Sequence, residues 1–395
     1  MDVQNKSELS RDILREKIGD SVESRIAWYR EMRENQPVHY NQEHKIWEVF
    51  RYKDVQHVLL EHADYSVKMT LPENFPSTLG KSDPPRHRQL RSLVSKAFTP
   101  RRIEELTPRL VEIIDGLLEP ALASGKMDVM PDLTYPLPVR VIAEMLGLPA
   151  QDQEQFRVWS YQLLDLFTRG GNPDNGELFR YFSDLLEERK QNPQADLMSS
   201  LLAAEEDGAQ LTREEILYMC LEMMMAGNVT TTMLLSYALD RFSQHPEIYE
   251  ALRADPSLIP GALEETLRYD FSTISLRRTT RQDLVLDGHE IKAGEMIVAW
   301  VGAAHFDEDY FPHAEQFDIR RSPNPHMTFG YGIHVCLGSP LARLESKVAL
   351  EQIVAHFSSL RPDPEKPLRR KNGQVQQLGL SFTLAHAPVV EQNRL

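Results

Sequence analysis

Cysteine is almost missing from this chain: its 395 residues include two, Cys220 and Cys336. Two thiols cannot form a disulfide framework, and neither has a second cysteine or a histidine pair at zinc-binding spacing. Long apolar runs are missing as well. No stretch of about 18 apolar residues is present to span a bilayer, and the charge-dense segment Met1 to Gly19 lacks the apolar core of a signal peptide. A cytoplasmic protein without membrane attachment is the expectation. Excess positive charge is the third absence. At a formal net charge of −15 the surface repels phosphates rather than releasing their counterions, which argues against nucleic acid as a partner. No linker, repeat or long low-complexity tract divides the chain, so residues 1–395 are read as one domain. With 41% hydrophobic and 26% charged residues it has ample material for a globular core.

Strand-like segments are few: Ile46 to Phe50, Leu284 to Leu286, Met296 to Trp300 and Leu378 to Leu384. Helical periodicity fills much of the rest, over Ser21 to Glu34, Val55 to Glu61, Arg86 to Phe98, Arg101 to Leu122, Pro138 to Leu146 and Gln151 to Phe167. The fold class is mainly α, a large helical domain with small β-sheets. The longest candidate helix runs from Thr212 to about Phe242 and opens with Thr212 and Glu215 at capping-box spacing. Its centre, Met223 to Gly227, turns from apolar to small. Gly227 there permits close approach, either of a neighbouring helix or of something bulkier.

Cys336 lies in a glycine-studded loop, NPHMTFGYGIHVCLGSPLARLE, just before a helix that starts near Ser339. Gly330, Gly332 and Gly338 let the backbone fold round the sulfur. The positive end of the helix and its free N–H groups favour a thiolate, lowering the pKa from its usual value of about 8.5. Together Phe329, Gly330, Gly332, His334, Cys336 and Gly338 resemble the heme-ligand loop of the cytochrome P450 family. The resemblance implies a cytochrome P450 fold, heme b (iron protoporphyrin IX) as cofactor and Cys336 as its axial thiolate and metal ligand. It further implies that Phe329 packs beside the sulfur and that His334 hydrogen-bonds a heme propionate.

The resemblance extends from His87 to Glu345. Glu265 and Arg268 share a helix face and match the family's structural glutamate and arginine, with Arg321, or Arg320 in its place, completing the network. His87, Arg91 and Arg278 match the other propionate donors. Ala226, Gly227, Thr230 and Thr231 match the oxygen-binding stretch of the long helix, where the family implies cofactor contacts at Ala226 and Gly227 and a catalytic role for the threonines.

Two departures stand out. The acid that normally precedes the first threonine is Val229, which cannot carry a proton. Glu222, two turns earlier on roughly the same face, could relay protons, bind a cationic substrate, or turn toward solvent or a basic neighbour. The family's proline after the glutamate–arginine helix is Ser272; Thr273 and Ile274 beyond it, with Met225 and Val229, are candidate substrate-pocket residues. The loop from Tyr65 to Gly80 would roof that pocket. Gly80–Lys81–Ser82 ends like a phosphate loop, but Phe75 stands where its first glycine belongs. The third glycine of a dinucleotide motif beginning at Gly330 is replaced by Val335.

The expected activity is insertion of one oxygen atom from dioxygen into a small, apolar organic substrate, by a monomer fed electrons by a ferredoxin or flavodoxin and its reductase. Arg88, Lys96, Arg101, Arg102, Arg343 and Lys347 form a candidate basic docking patch. A peroxide-driven peroxygenase and a heme protein that senses a ligand without turnover are the alternatives.

Overall fold

A 32-residue helix, Arg213–Gln244, is the axis of the molecule. The protein is represented by a computed structural model that describes residues 22–68, 78–95, 98–169, 176–206, 209–270, 273–371 and 374–385. At about 1.5 Å per residue the long helix extends roughly 48 Å. The expected capping box is present: the Thr212 hydroxyl accepts from the Glu215 amide, and the Glu215 carboxylate accepts from the Thr212 amide at 2.9 Å. From Thr231 to Asp240 every residue is buried, as expected of a helix surrounded by others. Between Leu221 and Thr230 the burial is broken, and Ala226 is exposed in mid-helix. That interruption marks open space beside the axis.

Helices Thr107–Ser124, Pro136–Met145, Ile259–Tyr269 and Ser339–His356 build the larger core with it. The expected helix from Arg101 to Leu122 is two helices, Pro100–Glu104 and Thr107–Ser124, because Pro108 cannot continue the first and suits the opening turn of the second. A second core surrounds a five-stranded sheet made of β1 (Val38–Asn41), β2 (Ile46–Val49), β3 (Tyr65–Ser66), β4 (Leu276–Thr280) and β5 (Met296–Ala299), in the order β1-β2-β5-β4-β3. Only the parallel β5–β2 pair departs from antiparallel pairing. Strands β1, β3 and β4 were not legible because each is short and its pattern is set by neighbours rather than alternation. Among the described residues no helix is long and apolar enough to cross a membrane. The cysteine loop straddles the two cores: Met327 is buried in the sheet core, while Phe329 and Leu337 pack on the helical one.

Glu265 and Arg268 join these parts. Both side chains are wholly buried, and Arg268 grips the carboxylate through Nε at 2.8 Å and Nη2 at 2.7 Å. Arg268 also donates to the carbonyls of His305 and Ala314, at 2.8 and 2.9 Å. Glu265 accepts further from the Asp318 amide at 3.0 Å, from Arg321 Nε and from Asn324, both at 3.2 Å. Arg321, not Arg320, completes the network. Every lone pair and N–H so spent offsets the desolvation of the pair. Glu265→Gln leaves Arg268 and Arg321 without a counter-charge, and urea unfolding is expected to show a loss of about 3–5 kcal/mol. A midpoint equal to that of the unaltered protein would contradict this.

Candidate active site

The cysteine loop is held from beneath by a histidine that the sequence did not single out. His305 is buried, its Nε2 accepts from the Met327 amide at 2.8 Å, and its Nδ1 faces the Arg268 carbonyl at 3.0 Å. Accepting at one nitrogen and donating at the other requires the neutral ring with the proton on Nδ1. Burial, with His326 and Arg268 nearby, depresses its pKa well below the usual range, which keeps it neutral. Gly330 and Gly332 take φ of +77° and +70°. A Cβ at Gly332 would also stand 3.1 Å from the Leu59 carbonyl, so the loop presses directly on helix Tyr52–Leu60. The Cys336 amide closes the loop onto the Phe329 carbonyl at 2.7 Å.

Gly338 behaves differently from expectation. It is the N-cap of Ser339–His356 at φ −81°, with nothing near the position of a Cβ, so tight folding does not require glycine there. Its contribution is an N–H group, which with that of Ser339 hydrogen-bonds the cysteine sulfur. The expected net lowering of the thiol pKa is corrected: crowding by protein pushes it up, and the two amides, Arg91 and Arg343 offset only part of that. The residue as a whole is nonetheless exposed. A metal bound there would deprotonate the thiol outright.

Beside the cysteine the structure gathers His87, Arg91, Arg278 and His334. The His87 and His334 rings lie 4.2 Å apart, and the Nε2 atoms of both are buried without a partner. Burial, then His87 and Arg278, push His334 down to about 3, and burial with Arg91 lowers His87. Burial also pulls Arg278 down to about 10 despite Asp83. Asp83 is occupied elsewhere, by Ser66, the Val67 amide and Arg281, and lies 3.9 Å from His334 Nε2, beyond hydrogen-bond range. Arg91 donates to the Val335 carbonyl at 2.6 Å. Desolvated donors with too few acceptors fit a ligand carrying carboxylates, next to a sulfur that fits a metal. Among the described residues no cluster of His, Cys, Asp or Glu offers a competing metal site.

The long helix presents Ala226 to the open space, and Thr230, half-buried, donates its hydroxyl to the Ala226 carbonyl at 2.7 Å. Thr231 is buried. A Cβ at Gly227 would meet Ile142 Cδ1 at 2.9 Å, so this glycine lies against helix Pro136–Met145. Met225 and Val229 are half-buried. Glu222 turns to residues Thr78 to Gly80 instead of solvent. Thr273 and Ile274 line a small cavity with Tyr29, Arg268, Gly302 and His305, inside the protein between the sheet and helix Ile259–Tyr269. Ser272, Lys96 and part of the Tyr65–Gly80 loop lie outside the described residues.

A second ionic network flanks the loop. Arg343 grips Glu264 at 2.7 and 2.8 Å and lies 4.5 Å over the Phe329 ring, while His326 Nε2 stands 2.9 Å from the same carboxylate. Burial opposes the charge on Glu264, but Arg343 and His326 together hold its pKa down to about 2. A depressed carboxylate stabilises the fold fully above its unfolded value of about 4.5, and that stabilisation fades as pH falls toward 2. The shift corresponds to about 3 kcal/mol. Glu264→Gln is therefore expected to lower unfolding free energy by up to about 3 kcal/mol at pH 7, with the gap to the parent narrowing below pH 4.5. A gap that stays constant down to acid would refute this assignment.

Comparison with known proteins bears on the whole arrangement. A family model described as Cytochrome P450 matches residues 174–382. The chain is 39% identical over 373 residues to the putative cytochrome P450 YjiB of Bacillus subtilis, covering 90% of this chain and 93% of that protein. It is 38% identical to the erythromycin C-12 hydroxylase of Saccharopolyspora erythraea, over 89% of this chain and 91% of the relative. The crystal structure of CYP109E1 from Bacillus megaterium in complex with testosterone superposes with a TM-score of 0.84 at 37% identity, covering 90% of this chain and 98% of that one. The fold, its loop and these relatives agree: the chain belongs to the cytochrome P450 family and is a heme-thiolate monooxygenase.

Proposed function

We propose that Cys336 is the axial ligand of heme b, in a single-domain, monomeric, cytoplasmic enzyme that inserts one atom of dioxygen into an apolar organic substrate. The observation that carries this reading is the exposed Cys336, its sulfur met by two backbone N–H groups, beside two buried histidine nitrogens without partners and the desolvated Arg278. When bound, the heme supplies the redox chemistry that activates oxygen, and a thiolate ligand favours O–O cleavage. His87, Arg91, Arg278 and His334 would hold its carboxylates. Exposed Ala226 leaves room on the long helix. Thr230 holds its proton on the Ala226 carbonyl, from which rotation about χ1 redirects it into the open space. Val229 holds none, and buried Thr231 is the less accessible hydroxyl. Proton delivery thus falls to Thr230 and to water.

Three relatives support a sizeable apolar substrate: a cyclomarin C epoxidase, the erythromycin C-12 hydroxylase and a vitamin D(3) 25-hydroxylase. Electrons would come from a ferredoxin or flavodoxin with its reductase. The docking patch for that donor is narrower than the sequence suggests, because Arg101 pairs with Glu105, Arg343 with Glu264 and Lys347 with Glu351. Arg88 and Arg102 remain as exposed candidates. Val229 in place of the acid favours a peroxide-driven enzyme as the second reading.

The reduced, carbon monoxide-bound protein is expected to show a strongly red-shifted Soret band that Cys336→Ser abolishes. An unshifted band in the folded parent protein would overturn thiolate ligation. Product formed with NAD(P)H and redox proteins is expected to exceed that formed with hydrogen peroxide alone by at least about tenfold. The opposite ratio selects the peroxygenase.

A further inference from the structure

Glu222 is the acid nearest the open stretch of the long helix, one turn before Ala226, and its surroundings define what it does. Its Oε1 accepts from the Thr78 hydroxyl at 3.2 Å, and its carboxylate also accepts from the backbone N–H groups of Leu79 and Gly80. All three donors belong to one segment, the Thr78 residue and the tight turn Leu79–Lys81 that follows it. Lys81 adds attraction from the same turn, and burial works against the charge. The partner surface is shaped for this group. A Cβ on Gly80 would stand 2.8 Å from Glu222 Oε1, closer than real Cβ contacts come, and Gly80 is not in a left-handed conformation that would itself call for glycine.

The carboxylate is thus committed to the turn rather than available to a reactant. Glu222 and Thr230 are eight residues apart, about 12 Å along a helix axis, which no glutamate side chain spans. The turn in contrast leads directly to Asp83, anchored on Ser66 and Arg281, and then to His87 at the start of helix Arg86–Ser95. Arg86 on that helix pairs with Glu215 near the start of the long helix. Glu222 and Glu215 are therefore two ties between the long helix and one continuous segment, with Glu222 the one adjoining open Ala226.

We propose that Glu222 and Gly80 form a matched latch that fixes the rim of the substrate cleft, so that Glu222 is a positioning residue that limits the size of molecule admitted. This rests on the proposed heme cleft. It displaces both chemical roles open to Glu222 from sequence, proton relay and recognition of a cationic substrate.

The test uses the heme-loaded protein and two nitrogenous probes that report by a Soret shift, imidazole and the bulky azole clotrimazole. In Glu222→Ala the association rate of clotrimazole is expected to rise about tenfold while that of imidazole changes less than about twofold; a tenfold change corresponds to the net loss of one charge-assisted hydrogen bond. Gly80→Ala, whose methyl crowds Glu222 Oε1 and shifts it from its donors without removing it, is expected to change the ratio in the same direction by a smaller amount. The double variant is expected to add little beyond Glu222→Ala alone, as for residues acting through one contact. Glu222→Gln, which keeps an acceptor of the same shape, is expected to restore most of the discrimination between probes.

Hydrogen exchange at the Leu79 and Gly80 amides gives a readout independent of heme, and is expected to accelerate at least about tenfold in Glu222→Ala. Unchanged exchange there overturns the latch. Accelerated exchange with an unchanged probe ratio overturns its control of entry. Additive single effects, or Gln as impaired as Ala, overturn the matched pair. A parent protein without the red-shifted carbon monoxide band sinks the heme reading instead, and leaves the exchange result to judge the Glu222–Gly80 contact.

Discussion

The wholly buried Glu265–Arg268 pair is the constraint from which the site descends. A buried ion pair is tolerable only when the remaining hydrogen-bonding capacity is satisfied. Here Arg268 spends it on the carbonyls of His305, Ala314 and Gln316, while Glu265 spends its own on the Asp318 amide, Arg321 and Asn324. The requirement to satisfy one charge pair thus fixes the path of residues 305–324. The cysteine loop starts where that path ends, and His305 passes the constraint on to Met327. Geometry at the sulfur is in this sense set by electrostatics several residues away.

A second consequence concerns the division of labour on the long helix. From Thr231 to Asp240 its burial is complete and its side chains are packing elements. Before Thr231, four positions have separate tasks. Gly227 lets Ile142 approach, Ala226 leaves space, and Thr230 keeps its hydroxyl on the backbone. Glu222 faces the turn at Gly80. One residue of offset separates the glycine that lies against a neighbouring helix from the exposed alanine.

How much of this was legible in the sequence depended on whether a residue's task was local. The capping box of Thr212 and Glu215 was readable because both partners lie within one turn, and so was the Glu265–Arg268 spacing. The cysteine loop was readable because its identities cluster. At Gly227 close approach was readable but its partner was not, since Ile142 lies far away in the chain. The same holds for His305, an isolated histidine before a run of turns, and for Asp83, whose partners come from β3 and from Arg281. The net pKa of Cys336 was also misjudged. Helix-end geometry was visible in sequence, but the desolvation that outweighs it is a property of the assembled fold.

The polar groups beside the cysteine have a further implication for the life of the protein before catalysis. Two buried histidine nitrogens without partners and a desolvated arginine leave hydrogen-bonding capacity that the polypeptide does not satisfy by itself. Any dicarboxylate that seats there binds the folded chain and not the unfolded one, so its free concentration enters the folding equilibrium directly. The amount of folded protein then tracks the supply of its prosthetic group, which makes cofactor biosynthesis a determinant of abundance as well as of activity.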